Sequence, residues 1–430
     1  MSEAAVTSAG PAHAGTAPAR PDASSGARGA ASHDALHGAS HDAQENASAR
    51  AACRGARLTR LILNDFRSYA RADLAFDGRP VAIAGANGAG KTNILEAISL
   101  IGPGRGVRGA RLDELPRIGG AGGWAVSARF MDAGGDERRF GVGAEPSRPA
   151  RRVCRIDDAA ASGPGAFSDH LRFLWLTPAM DRLFMEGAGE RRRFLDRMTL
   201  ACDPAHGRRA SAFEQAMRQR QRLLEEGGDP ALASALEIQM AENGVAIAAG
   251  RRETAARLAA AEVAGAADLF PAADIALEGE LEAALADAKA ADVEEDYAAR
   301  LKTRRRLDAE AGRALLGPHR SDLLVYHRGK GRPARLCSTG EQKALLIGLV
   351  LANARIVAAQ ESADAPLILL LDEIAAHLDP DRRAGLFSII DALGFQAFMT
   401  GTDKALFAAW GERAQHLEAC GGALHPATLT

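Results

Sequence analysis

Eight residues, Gly85-Ala86-Asn87-Gly88-Ala89-Gly90-Lys91-Thr92, constrain this 430-residue chain more than any others. They follow the pattern G-x-x-x-x-G-K-[ST] without a mismatch. Glycines let a backbone turn tightly enough for successive N–H groups to face one anion. A helix that starts at the same point adds partial positive charge. The flanks fit that reading. Apolar Val81-Ala82-Ile83-Ala84 predicts a strand entering the loop, and Asn93-Ile94-Leu95-Glu96-Ala97-Ile98 predicts a helix leaving it. A simple glycine-rich turn is the plainer reading in a chain with 45 Gly, but it does not explain the strand and the helix. The pattern therefore predicts that Gly85, Ala86, Asn87, Gly88, Ala89, Gly90 and Asn93 surround ATP phosphates. Lys91 would reach the β- and γ-phosphates, and the Thr92 hydroxyl would ligate Mg²⁺.

The rest of such a site stands far away in the chain. Pro366-Leu367-Ile368-Leu369-Leu370-Leu371 predicts a fully buried parallel strand, and Asp372-Glu373 follows at its carboxyl end. Ligands of open α/β sheets bind at that end. Asp372 would hold Mg²⁺, and Glu373 would orient or deprotonate a water. Phe395 to Met399 predicts the next core strand. Ser338-Thr339-Gly340-Glu341-Gln342 precedes a long helix pattern from Lys343 to Ala358. Ser338 three residues before Glu341 fits a capping box, while Ser338 and Gly340 at a helix start also suit an anion. Lying shortly before the acidic strand, the segment is similar to the signature of ABC ATPases. That similarity implies contact with the γ-phosphate of an ATP held by a second subunit.

Composition sets wider bounds. Net charge is −2, so no global field draws nucleic acid, and any DNA site must be a local patch. Five scattered cysteines without a C-x-x-C suggest neither a zinc site nor a disulfide framework, which suits a reducing cytoplasm. No apolar run is long enough to span a bilayer, so no membrane is expected. Residues 1 to 55 are rich in Ala, Gly, Ser and His and lack aromatics, which predicts a disordered tail. Leu58 to Leu63 and Leu74 to Phe76 read as strands. Trp124 to Phe130 and Arg138 to Val142 read as part of an antiparallel sheet. Helix dominates from about Gly187 to Gly317: Ala212 to Glu226, Ala231 to Ala261, Leu281 to Ala291 and Tyr297 to Leu316, interrupted by strand-like Ala273 to Leu277. Leu323 to Tyr326 and Ala334 to Leu336 read as strands.

Leu61-Ile62-Leu63-Asn64-Asp65-Phe66-Arg67-Ser68-Tyr69, the phosphate loop, Leu176-Thr177-Pro178, Gly189-Glu190-Arg191-Arg192-Arg193-Phe194-Leu195-Asp196, Gly317-Pro318-His319-Arg320-Ser321-Asp322-Leu323 and the signature segment occur in that order. In this the chain resembles the RecF family of DNA repair and replication proteins, relatives of the SMC ATPases. The match runs from Arg57 to Phe407, and its specific parts are E-R-R-R-F-L-D and G-P-H-R-x-D-L, which generic ABC ATPases lack. The resemblance implies an α/β fold: a P-loop ABC/SMC-type ATPase head with an inserted helical arm. Residues 56–186 would form the N-terminal lobe, 187–316 the arm and 317–430 the C-terminal lobe. It further implies binding of ATP with Mg²⁺, slow hydrolysis, an ATP-dependent homodimer, and binding to single-stranded, gapped or linear duplex DNA. Family members work with RecR and RecO to load RecA, in support of SOS induction. By position, Lys91 and Glu373 would be catalytic, Arg67 would lie beside the nucleotide, and Ser338 with Gly340 would face the other subunit's γ-phosphate.

Three places depart from the family pattern, and a fourth, Thr402, differs from transporter ATPases in a way that fits the slow hydrolysis of RecF-like proteins. Glu341 replaces the usual Gln, and Ala179 replaces a Glu. Ala375-Ala376-His377-Leu378-Asp379 replaces Ser-Glu-Leu-Asp, and Thr402 stands where transporter ATPases carry a histidine. For DNA, the basic candidates are Arg191, Arg192, Arg193 and Arg197, then Arg208, Arg209, Arg218, Arg220 and Arg222, then Lys302, Arg304, Arg305 and Arg306. For any one of them, a solvated helix face with i,i+4 pairs is the commoner role. A transporter ATPase subunit would have a shorter insertion, and an SMC-like tether would need hundreds of heptad residues.

Overall fold

The computed structural model describes residues 55–132, 134–261, 269–360 and 365–427. The expected N-terminal tail, with its four histidines, lies outside them apart from Gly55.

In chain order the first elements are β1 (Arg57–Phe66), β2 (Tyr69–Ala75), β3 (Val81–Ala84) and α1 (Lys91–Ser99). They are followed by β4 (Trp124–Met131), β5 (Glu137–Ala144), β6 (Val153–Ile156), β7 (Ala159–Ala160) and β8 (Arg172–Leu176). A helical stretch comes next: α2 (Ala188–Cys202), α3 (Ala205–Glu225) and α4 (Pro230–Ala260). After β9 (Ala273–Glu278) it resumes with α5 (Glu280–Asp287), α6 (Ala290–Thr303) and α7 (Arg305–Ala311). The chain continues through β10 (Asp322–His327), β11 (Arg332–Pro333), α8 (Thr339–Ala358) and β12 (Leu367–Leu371). It ends in α9 (Pro380–Leu393), β13 (Gln396–Gly401), β14 (Gln415–Cys420) and β15 (Ala423–Pro426).

One sheet has the order β15-β14-β3-β13-β12-β8 and is parallel except for the β14–β15 hairpin. Both faces of its central strands β3, β12 and β13 are buried, which is why β3 and β12 read as continuous apolar runs. Leu367, Leu369 and Leu371 point into a core shared with α2, α8 and α9. Ile368 and Leu370 point the other way, into a core shared with α1 and with the antiparallel sheet β2-β1-β4-β5-β6-β7. A third apolar cluster joins Phe213 of α3, Met240 and Val245 of α4, and Tyr297 and Leu301 of α6. The third sheet, β11-β10-β9, pairs a strand from within the helical stretch with two strands just before α8.

Two expectations need correction. Leu281–Ala291 and Tyr297–Leu316 are not two helices but three, because the chain is extended at Ala288 and Lys289 and turns at Arg304 and Gly312. Ala334–Leu336 is a 3₁₀ turn and not a strand. Pro333, with φ −56° and no N–H to donate, ends the ladder there.

Candidate functional site

The order of the parallel sheet builds the site. Strand β13 lies between β3 and β12, so the phosphate loop and the acidic strand end on either side of it. Gly401 pairs with Ala84, and Met399 pairs with both Ala82 and Leu371. Thr400 therefore sits at the carboxyl end, level with Asp372. Gly85 donates its N–H to the Gly401 carbonyl (3.2 Å) and has φ +154°. A Cβ there would stand 2.6 Å from the Ala419 oxygen, so the loop's first residue has to be glycine. Gly90 opens α1 at φ +99°, under the Tyr69 hydroxyl, which donates to its carbonyl (3.2 Å). Burial pushes the Tyr69 phenol up to about 12, so it remains a donor.

Lys91 is 4 % exposed. Its Nζ donates to the carbonyls of Gly85 (2.7 Å) and Ala86 (3.1 Å) and lies 3.9 Å from a Glu373 carboxylate oxygen. The lysine is thus folded over the loop that it is expected to serve. Thr92 and Asp372, 280 residues apart, meet: the Thr92 hydroxyl lies 3.0 and 3.1 Å from the two carboxylate oxygens. Adjacent oxygen ligands of an octahedral cation with bonds of about 2.1 Å stand about 3.0 Å apart. The hydroxyl and carboxylate therefore fit Mg²⁺, which takes one or two protein oxygens and fills its other positions with phosphate and water.

Thr400, which sequence reasoning missed, organises the two acids. Its buried hydroxyl donates to Asp372 (2.6 Å) and accepts the Glu373 backbone N–H (3.0 Å). Glu373 has φ +54°, an uncommon conformation for a residue with a side chain, and that bond helps to hold it. Glu96 was missed as well. Fully buried on α1, it forms a two-bond pair with Arg67 (2.8 and 2.6 Å) and a further contact with Arg108 (3.1 Å). Arg67 is thereby fixed to the helix that leaves the phosphate loop. Asn93 accepts from Arg108 and donates to the Ser68 hydroxyl. An acid one turn after the loop's threonine was the available signal, but only the fold shows that arginines converge on it.

Ser338 and Gly340 are exposed at the start of α8. The capping box forms: the Ser338 hydroxyl accepts the Glu341 N–H (3.4 Å), and the Glu341 carboxylate accepts the Ser338 N–H (2.8 Å). No hydrogen bond or ion pair among the described residues joins Ser338 or Gly340 to Lys91.

The basic candidates divide sharply. Arg220 is not available to DNA: it is 1 % exposed and bound to Glu237 (2.9 Å), Asp308 (2.8 Å) and the Leu301 carbonyl (2.7 Å). Its position about four helical turns into a charged helix concealed that it faces the cluster around Tyr297. Arg191 makes a two-bond pair with Asp322 (2.8 and 2.7 Å), and Arg192 donates to the Ser321 carbonyl (2.5 Å). These two tie α2 to the start of β10 and bring the two specific motifs together. Arg193 pairs with Glu190 and Arg218 with Glu214 on exposed helix faces, and Arg222 is exposed. Arg197 stacks over Trp175 at 3.9 Å, and Arg305 pairs with Glu237.

Residues 57–416 match the RecF/RecN/SMC N-terminal domain family. The chain belongs to that family. Within it, this chain is 51% identical over 368 residues to the DNA replication and repair protein RecF of Rhizobium johnstonii, covering 85% of this chain and 97% of that protein. The RecF of Mesorhizobium japonicum is 52% identical over 375 residues, covering 86% and 97%. Among solved structures, the recombination mediator protein RecF of the RecFOR pathway bound to ATP matches with a TM-score of 0.74. It is 22% identical and covers 88% of this chain and 99% of its own. At that identity the likeness concerns the fold, which is the RecF ATPase head. No helix among the described residues is long and apolar enough to cross a membrane.

Proposed function

We propose that this RecF-family chain is an ATP-switched DNA-binding protein of replication and recombinational repair. The meeting of Thr92 and Asp372 carries the reading, because it assembles one phosphate and Mg²⁺ site from two ends of the chain. The names of the relatives supply the biological setting.

The geometry supports the roles at the nucleotide, and the family resemblance supports the rest. Backbone N–H groups of the loop beyond Gly85 and of the start of α1 bind phosphate, and Lys91 exchanges its two carbonyl partners for phosphate oxygens. Thr92 and Asp372 hold Mg²⁺, which when bound neutralises charge on the terminal phosphates. Glu373, one-third exposed beside Lys91, orients a water. Ser338 and Gly340 present the start of α8 to the ATP of a second copy, so that ATP closes a homodimer and slow hydrolysis reopens it. The 56–186 and 317–430 lobes supply the site, and the 187–316 arm extends from them. The closed dimer binds single-stranded, gapped or linear duplex DNA through phosphate contacts. It acts with RecR and RecO to help load RecA and so supports SOS induction.

The test is binding to a gapped duplex with and without ATP, at two salt concentrations, for the wild type and Lys91→Ala. Binding should tighten with ATP, weaken with salt and lose its ATP response in the variant. Absence of DNA binding in every condition would overturn the reading.

A further inference from the structure

The signature segment carries a carboxylate where a phosphate is expected to arrive. Glu341 is the third residue of α8, and like charge at an anion site opposes binding. The structure shows what becomes of that charge. Strand β10 passes through a 3₁₀ turn, Arg328–Lys330, into β11, and Gly331 closes the turn at φ +57°. Its N–H donates to the carbonyls of His327 (2.9 Å) and Arg328 (3.2 Å). Arg328 anchors the turn to Asp274 of β9 (2.7 Å). Lys330, the last residue of the turn, is thereby aimed at Glu341, and its ammonium forms an ion pair with the Glu341 carboxylate. The other carboxylate oxygen accepts the Ser338 N–H (2.8 Å). Lys330 is the foremost cause that holds the Glu341 carboxyl down, at about 2, so the group remains ionised and compensated.

We propose that Lys330 is a positioning residue for the composite ATP site: it neutralises and holds Glu341, the carboxylate that sits beside the phosphate Ser338 and Gly340 receive. The proposal rests on the reading of this segment as one that meets the ATP of a second copy. The hairpin that bears Lys330 pairs with β9, so the sheet that positions the ammonium includes a strand from the helical stretch.

The experiment measures ATP-dependent dimerisation, by sedimentation with ATP and with a non-hydrolysable analogue, for Lys330→Met, Glu341→Gln and the double variant. Glutamine keeps an acceptor for the Ser338 N–H, so the capping box and the fold survive. A half-exposed ion pair is worth at most about a fivefold change in an equilibrium constant. A symmetric dimer has two such sites, so Lys330→Met should weaken the dimer up to about 25-fold. Lys330→Arg should restore it. In the Glu341→Gln background, Lys330→Met should change it less than about twofold, because the charge that Lys330 offsets is gone. Equal loss in both backgrounds would mean that Lys330 acts on phosphate, DNA or the partner directly, and would overturn the inference alone. So would no loss in either. A wild type that stays monomeric with ATP would overturn the inference together with the reading beneath it. Thermal melting of each monomer should shift only slightly, within what one surface ion pair contributes, and its affinity for ATP at the Lys91 site should stay unchanged.

Discussion

Thr400→Val is the substitution that best tests the catalytic geometry. Valine has nearly the shape of threonine, so packing at this fully buried position is kept. Two bonds are lost: the donor to Asp372 at 2.6 Å and the acceptor for the Glu373 N–H at 3.0 Å. A hydrogen bond to a charged group contributes about 1.5–3 kcal/mol, and an orphaned N–H adds to its loss, so the fold should lose about 3 kcal/mol. The more telling effect concerns Glu373. Its left-handed backbone, at φ +54°, costs about 1–2 kcal/mol. Without Thr400 that strain is unopposed, and relaxation to negative φ swings the carboxylate away from its place beside Lys91. A bias of about 2 kcal/mol lowers the poised population roughly 30-fold. Single-turnover ATP hydrolysis should fall by that factor, while ATP affinity, set mainly by the untouched loop, should change less than about threefold. Urea unfolding would report the stability term separately. Full turnover in a variant that has lost the expected stability would show that Thr400 does not place Glu373, and the argument would fail.

Two further perturbations probe the frame. Arg220→Ala leaves Glu237 and Asp308 buried without their shared arginine and should cost about 3–5 kcal/mol, seen as a lower thermal midpoint, whereas Arg218→Ala on the exposed side of the same helix should cost under about 0.5 kcal/mol. Burial would raise the Asp196 carboxyl, but hydrogen bonds from His206 and Arg251 outweigh it and hold the group at about 2, below its ordinary 3.8. The stability this contributes, about 2 kcal/mol, is complete above pH 4 and lost as pH falls through 2, so Asp196→Asn should flatten the acid limb of a urea-midpoint profile.

The phosphate loop and the Leu367–Leu371 strand were legible because their chemistry is local: glycines where φ must be positive, and apolar residues wherever a strand has no solvent face. The fold class was legible from the order of motifs. Thr400 was not, because its role depends on β13 lying between β3 and β12, and strand order leaves no mark on any single segment. The breaks at Ala288–Lys289 and Arg304 were hidden for another reason. Alanine, lysine and arginine all favour helix, and packing around Tyr297 and Leu301 overrides that preference. Arg220 misled because a buried arginine and a solvated one look alike until the partners Glu237 and Asp308 are seen.

Strand β3 is made early and finished late. Its neighbours in the sheet, β13 and β14, leave the ribosome more than 300 residues after it. At roughly 5–20 residues per second, that is about 15–60 s during which a four-residue apolar strand has neither edge paired. The helical stretch made in between has its own apolar cluster and can condense while the head waits. Production of this protein should therefore be sensitive to translation speed and to chaperone supply, in a way that a chain pairing each strand with the next one made would escape.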